Sequence, residues 1–151
     1  HKFFNRFINL ILVIFFIQLV YGAFMAGLKA GKFWNTFPLI DGKLIPYNLF
    51  ELKPLYVNFF ENSKMVQFIH RYLGLSLMIF IYLISFNLKE LNLSLNLKCR
   101  NLVTIVTFQV FLGIITLISK VSIILALSHQ FLAILLYLSL LNLKHSMRWK
   151  K

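Results

Sequence analysis

The sequence predicts an all-α fold, an integral membrane four-helix bundle. Three observations carry that expectation. Hydrophobic residues make up 60% of the 151 and mean hydropathy is +0.79, against roughly 45–50% apolar content in a soluble domain. The apolar residues fall into four runs, each near the ~20 residues a helix needs to cross a ~30 Å hydrocarbon layer. Only four residues are acidic, and the basic ones behind the net charge of +12 flank the runs. Charge so placed suits anionic lipid head groups. It argues against a nucleic-acid partner, which would need a basic face on a soluble module.

The first span is expected from Phe7 to Leu28. It is too long for a signal-peptide core, and no A-x-A site follows it. The chain opens on His1-Lys2-Phe3-Phe4 without a methionine, so it is expected to be a segment or a processed product. The second span is Met65 to Asn87, the third Asn101 to Ser119, the fourth Val121 to Leu143. In hydrocarbon each segment must satisfy its own backbone polar groups, which makes these spans helices.

The connections differ. Residues 29–64 form a long loop rich in aromatics (Phe33, Trp34, Phe37, Tyr47, Phe50, Tyr56, Phe59 and Phe60), which favour the head-group level. Asp41–Gly42 signals a turn, and Asn48 to Phe60 is expected to form a short interfacial helix interrupted at Pro54. The loop is either a lid over the bundle or a passive interfacial anchor. Leu88 to Arg100 reads as a short basic loop holding Cys99, the single cysteine, with no disulfide partner or zinc spacing. Ser119–Lys120 is a tight turn, and Lys144 to Lys151 a basic tail.

Lys2, Arg6, Lys89, Lys98, Arg100, Lys144, Arg148, Lys150 and Lys151 lie on the side of the termini. Lys29, Lys32, Lys43, Lys53, Lys64 and Lys120 lie opposite, most of them spread through the long loop. This modest bias places the termini in the cytoplasm. The long loop is then on the outer face.

Within this frame two histidines stand out. His70 lies five residues past the start of the second span and His129 eight past the start of the fourth, about 8 and 12 Å deep at 1.5 Å per residue. Both helices enter from the outer side, so both imidazoles fall in one layer. Ionisable side chains in hydrocarbon are costly and usually functional. A pair at one depth suits the two axial ligands of a heme iron. Hydrogen-bonding histidines between helices, or a proton relay, are the alternatives.

Small residues share that layer: Gly74 four past His70, Ala126 and Ala133 around His129, Gly22 on the first span and Gly113 on the third. They would make room for a flat ring, although each alone also serves close helix packing. Gln18-x-x-x-Gly22 and Gln109-x-x-x-Gly113 form a weak internal repeat. The chain thus reads as two helix pairs, each a Gln–Gly helix followed by a His helix. Arg71 is placed to meet a heme propionate or to snorkel to lipid phosphates. Gln67 and Gln130 are candidates to hydrogen-bond an imidazole, a propionate or another helix. His1 and His145 stand at polar ends and are expected to be solvated.

Several stretches resemble the heme A synthase family, of the proteobacterial and mitochondrial type. They are G-A-F-M-A-G-L-K-A-G-K-F-W-N-T-F-P-L-I-D-G-K at Gly22–Lys43, L-F at Leu49–Phe50, N-F-F-E-N at Asn58–Asn62 and V-Q-F-I-H-R at Val66–Arg71. Q-V-F-L-G-I-I-T-L at Gln109–Leu117 and S-H-Q at Ser128–Gln130 follow in the family's order. The resemblance implies an eight-helix, pseudo-symmetric protein built from two four-helix bundles, of which this chain is the carboxy-terminal one. It implies oxidation of the C8 methyl of heme O to a formyl group, by successive hydroxylation with water as oxygen source and then dehydration, giving heme A for cytochrome oxidase.

It also implies a heme b cofactor held by His70 and His129 as metal ligands, with Arg71, Gln67, Gly74 and Gln130 around it. The substrate heme and a required glutamate belong to the amino-terminal bundle. This chain departs from that half: no E-x-x-H occurs, Gln67 stands three before His70, and Glu61 is nine away. No catalytic residue is expected in this half, which alone is expected to be inactive. Heme O, membrane lipids, heme O synthase and cytochrome oxidase are the implied partners. The bacterial inner membrane is the implied location, ahead of the mitochondrial one. The rival readings are a stand-alone bis-histidine b-type electron carrier and a heme-free assembly protein.

Overall fold

The computed structural model describes residues 2–88 and 93–148. His1, Lys89, Lys150 and Lys151, used above, lie outside the described residues. The elements in chain order are α1 (Lys2–Gly27), α2 (Ala30–Phe33), a 3-10 turn (Leu55–Val57), α3 (Asn58–Glu61), α4 (Ser63–Leu88), α5 (Leu93–Ile118) and α6 (Ile123–Arg148). Among the described residues no strand forms beyond an isolated Ile40–Lys43 bridge.

The four long helices have 26 residues each, about 39 Å at 1.5 Å per residue. That exceeds the hydrocarbon layer, and all four are apolar enough to cross it. The helices overrun the apolar spans mainly at the end of the bundle that holds the termini. Residues 93–100, expected in a loop, form the first two turns of α5, and α6 continues to Arg148. Hydropathy marks where lipid ends; backbone hydrogen bonding continues into the head-group region. Lys98 uses this position to donate to Asn142 Oδ1 (2.9 Å) and to Ser146 Oγ, pinning α5 to α6.

Each helix packs on its chain neighbour, α1 on α4, α4 on α5 and α5 on α6, and α1 closes the ring against α6. The two histidine-bearing helices, α4 and α6, therefore stand diagonally across the bundle.

The buried core repeats. Ile8, Ile11 and Phe15 of α1 recur at one constant offset as Cys99, Leu102 and Val106 of α5. Leu77, Ile81, Ile84 and Leu88 of α4 recur likewise as Leu136, Leu140, Leu143 and Met147 of α6. The two-pair repeat hinted at by two glutamines and two glycines thus extends through the whole apolar interior. All of these residues lie in the half of the bundle on the side of the termini, away from the long loop. Large apolar side chains such as Phe16, Phe86, Phe108 and Phe131 point outward, as lipid contact requires.

The loop between α1 and α4 is ordered against the amino-terminal end of α4. Asp41 and Gly42 both have positive φ (53° and 74°), the turn chemistry of a tight hairpin. Ile40 N–H donates to Lys43 O at 2.8 Å, and Lys43 N–H donates back at 3.1 Å. Asn58 and Asn62 hold the rest. The buried Asn58 amide donates to Leu52 O and Leu55 O (both 2.9 Å) and accepts from Leu52 N–H (3.0 Å). Asn62 Oδ1 accepts from the Lys64 and Met65 N–H groups (3.0 and 3.3 Å), so it caps α4. Its Nδ2 donates to Asn48 O (3.0 Å).

The expected interfacial helix is present only after Pro54, as the 3-10 turn and α3. Before it, the asparagines take the carbonyls that a helix would use. At the far connection, Lys120 N–H donates to Leu117 O and Val121 N–H to Thr116 O. This is a Schellman-type stop, with Lys120 at φ 56° in the place glycine usually takes.

Candidate functional site

His70 is seven residues past the start of α4, and His129 six past the start of α6. These offsets correspond to ~10 and ~9 Å. The rings therefore share a layer, just outward of the point where the packed core stops at Phe15, Leu77, Val106 and Ala133.

Each imidazole rests against the neighbouring helix where that helix has no side chain. A Cβ on Gly22 of α1 would lie 3.4 Å from His70 Cε1; one on Gly113 of α5 would lie 2.8 Å from His129 Cε1. Each histidine is also met by the glutamine one turn inward of that glycine. Gln18 Nε2 donates to His70 O at 3.0 Å and stands 3.5 Å from the ring Nε2. Gln109 Nε2 donates to His129 O at 3.2 Å and stands 3.4 Å from that ring's Nε2. In both halves the same atoms are left buried without a partner: the histidine Nδ1 and the glutamine Oε1.

A buried ring nitrogen without a hydrogen bond is costly, and here the cost is incurred twice in equivalent places. Among the described residues no three His, Cys, Asp or Glu groups converge as they would around a bare metal ion. A porphyrin supplies four equatorial nitrogens itself and asks the protein only for axial donors. Two diagonal imidazoles, each on a glycine and at the edge of the packed core, fit that demand.

The other sequence candidates are placed as follows. Gly74 makes room for Gln18, whose Nε2 would stand 3.0 Å from a Cβ there. The equivalent position in the second half is Ala133. Arg71 donates to Pro38 O (2.6 Å) and Thr36 O (2.8 Å) and stacks over the Phe37 ring (5.4 Å), so it clamps the outer loop. Buried Gln67 donates to the Trp34 carbonyl. Both are loop contacts rather than imidazole contacts.

Gln130 is exposed. It occupies the position equivalent to Arg71, but a tight turn precedes α6 where the long loop precedes α4, and it has no loop to hold. Gln18 and Gln109, the glutamines that do meet the histidines, were missed as site residues. Their signal was the Q-x-x-x-G repeat.

Above this layer a cleft of about 270 Å³ opens between α1 and α6. It is lined by Met25, Ala26, Val121 and Ala126, with Lys29 and Lys32 bringing positive charge. Ala26 lies one turn outward of Gly22, and Ala126 one turn outward of His129.

Comparison with known proteins adds the following. The family model of COX15-CtaA, described as cytochrome oxidase assembly protein, matches residues 1–141. A heme A synthase of Wolbachia pipientis wMel is 39% identical over 131 residues, 87% of this chain and 36% of that protein. One of Nitrosospira multiformis is 39% identical over 145 residues, 95% and 41% respectively. One of Nitrosomonas eutropha is 42% identical over 124 residues, 81% and 35%. The chain thus spans about two fifths of the length of these relatives. No solved structure matches it.

Proposed function

Because the chain belongs to the COX15-CtaA family of cytochrome oxidase assembly proteins, we propose that it is the heme b-holding half of a heme A synthase, with His70 and His129 as axial ligands. The observation that carries this is the duplicated Gln–Gly–His arrangement on diagonal helices, one layer beyond the packed core. The protein is a multi-pass membrane protein. We place it in the bacterial inner membrane with its termini in the cytoplasm, from the distribution of lysines and arginines.

In this reading α4 and α6 would present the imidazoles, Gly22 and Gly113 would let the rings approach α1 and α5 closely, and Lys29 and Lys32, which line the cleft, would answer the heme carboxylates. Arg71 and Gln67 hold residues 34–38 in place through the carbonyls of Trp34, Thr36 and Pro38. A heme held there would supply one-electron chemistry, which ligation by both His70 and His129 would favour over oxygen activation. Oxidation of heme O then belongs to the part of the relatives' length outside this chain. Heme O synthase and cytochrome oxidase are the proposed donor and recipient partners.

The test is the absorption spectrum of the purified protein with His70→Ala or His129→Ala. Each should abolish the low-spin b-type bands; a wild-type spectrum in either variant rejects that residue as a ligand. Conversion of heme O to heme A by the full coding region tests the synthase assignment. Heme binding without conversion favours a b-type electron carrier, and a colourless protein favours a heme-free assembly role.

A further inference from the structure

Resting on that heme reading, we propose that Gln18 and Gln109 are positioning residues for the two ligands, fixing the rotation of each imidazole from the neighbouring helix. A histidine on a helix has two side-chain torsions. Against a glycine, which offers no side chain to pack on, the ring needs another restraint. The glutamines supply it in matched form.

The bond from Gln18 Nε2 to the His70 carbonyl, and from Gln109 Nε2 to the His129 carbonyl, decides which end of each amide faces the ring. The amide nitrogen is thereby held 3.5 and 3.4 Å from the two ring Nε2 atoms. Both Oε1 atoms are buried without partners, and turning either amide over would set its oxygen against the histidine carbonyl, so the end that faces the ring is fixed. Access is built in as well: Gly74 leaves the space into which Gln18 reaches. The same contacts in two halves of unlike sequence mark the arrangement as one device used twice. Groups that orient a metal-bound histidine typically change metal affinity 10–100-fold when removed.

The experiment uses the heme-loaded protein with Gln18→Met, Gln109→Met and the double variant, which keep side-chain length and lose the amide. Low-spin electron paramagnetic resonance g-values report the angle between the imidazole planes, and transfer of heme to apomyoglobin reports retention. Each single variant is expected to shift the g-values and to lose heme roughly 10-fold faster or more, with the double variant beyond either. Gly74→Leu, which displaces Gln18 without removing it, should reproduce Gln18→Met. It serves as the test where the Met variants do not fold. Wild-type g-values and loss rates in these variants overturn the proposal while leaving the heme assignment intact. A wild-type protein that carries no heme overturns both.

Discussion

Alanine at Gly113 and alanine at Gly22 are the same change at equivalent positions of the repeat, yet the structure predicts opposite outcomes. At Gly113 the new Cβ would stand 2.8 Å from His129 Cε1 and 3.4 Å from its Nδ1. Carbon atoms prefer ~3.5–4 Å, so the ring or helix must yield by roughly 0.7 Å or more. Overpacking of this kind costs about 1–3 kcal/mol. The gain in helix propensity from glycine to alanine returns about 0.8–1 kcal/mol. The net loss of about 0–2 kcal/mol falls on the ligand geometry and corresponds to heme retention weaker by up to roughly 30-fold.

At Gly22 the Cβ meets His70 Cε1 at 3.4 Å and Nδ1 at 3.9 Å, close to an ordinary contact. There the propensity gain wins, and retention should match wild type. Heme content per protein after purification, with the rate of heme transfer to an acceptor, measures both. Equal behaviour of Gly113→Ala and Gly22→Ala would refute the claim that His129 is the more tightly confined ring.

Three further outcomes follow from the loop. Arg71→Leu removes two charge-assisted hydrogen bonds to Thr36 and Pro38, each worth about 1.5–3 kcal/mol. Limited proteolysis should cut residues 34–44 faster, and an unchanged cleavage rate would show that Arg71 does not hold the loop. Asn62→Ala removes the cap of α4 and the tie to Asn48; a loss of about 2 kcal/mol should appear as a lower Tm. Asp41→Asn breaks the 2.8 Å ion pair with Lys64, whose Asp41 side chain is 53% exposed. Such a pair contributes about 0–1 kcal/mol, and asparagine tolerates the positive φ, so Tm should hardly move.

The long apolar runs, the two histidines, the Asp41–Gly42 turn and the Q-x-x-x-G repeat were all legible in the chain. Each is a local pattern with a local cause: lipid demands apolar length, a tight hairpin demands positive φ, and buried imidazoles stand out against hydrocarbon. What lay outside such patterns needed the packed structure. Arg71 and Gln130 looked like neighbours of the ligands because they adjoin them in sequence. A helix turns 100° per residue, so adjacency in sequence sends their side chains elsewhere. The extension of α5 back to Leu93 was hidden because charged residues obscure a helix that has already left the lipid.

By itself the sequence determined that four helices are long and apolar enough to cross a membrane, that two imidazoles share one depth and that the chain is built from two like pairs, because hydropathy and periodicity follow directly from residue order. Tertiary structure alone decided that α4 and α6 stand on a diagonal, that Gln18 and Gln109 grip the histidines, and that Arg71 holds the loop. Those relations depend on which helix faces meet, and residues far apart in the chain settle that only by packing together.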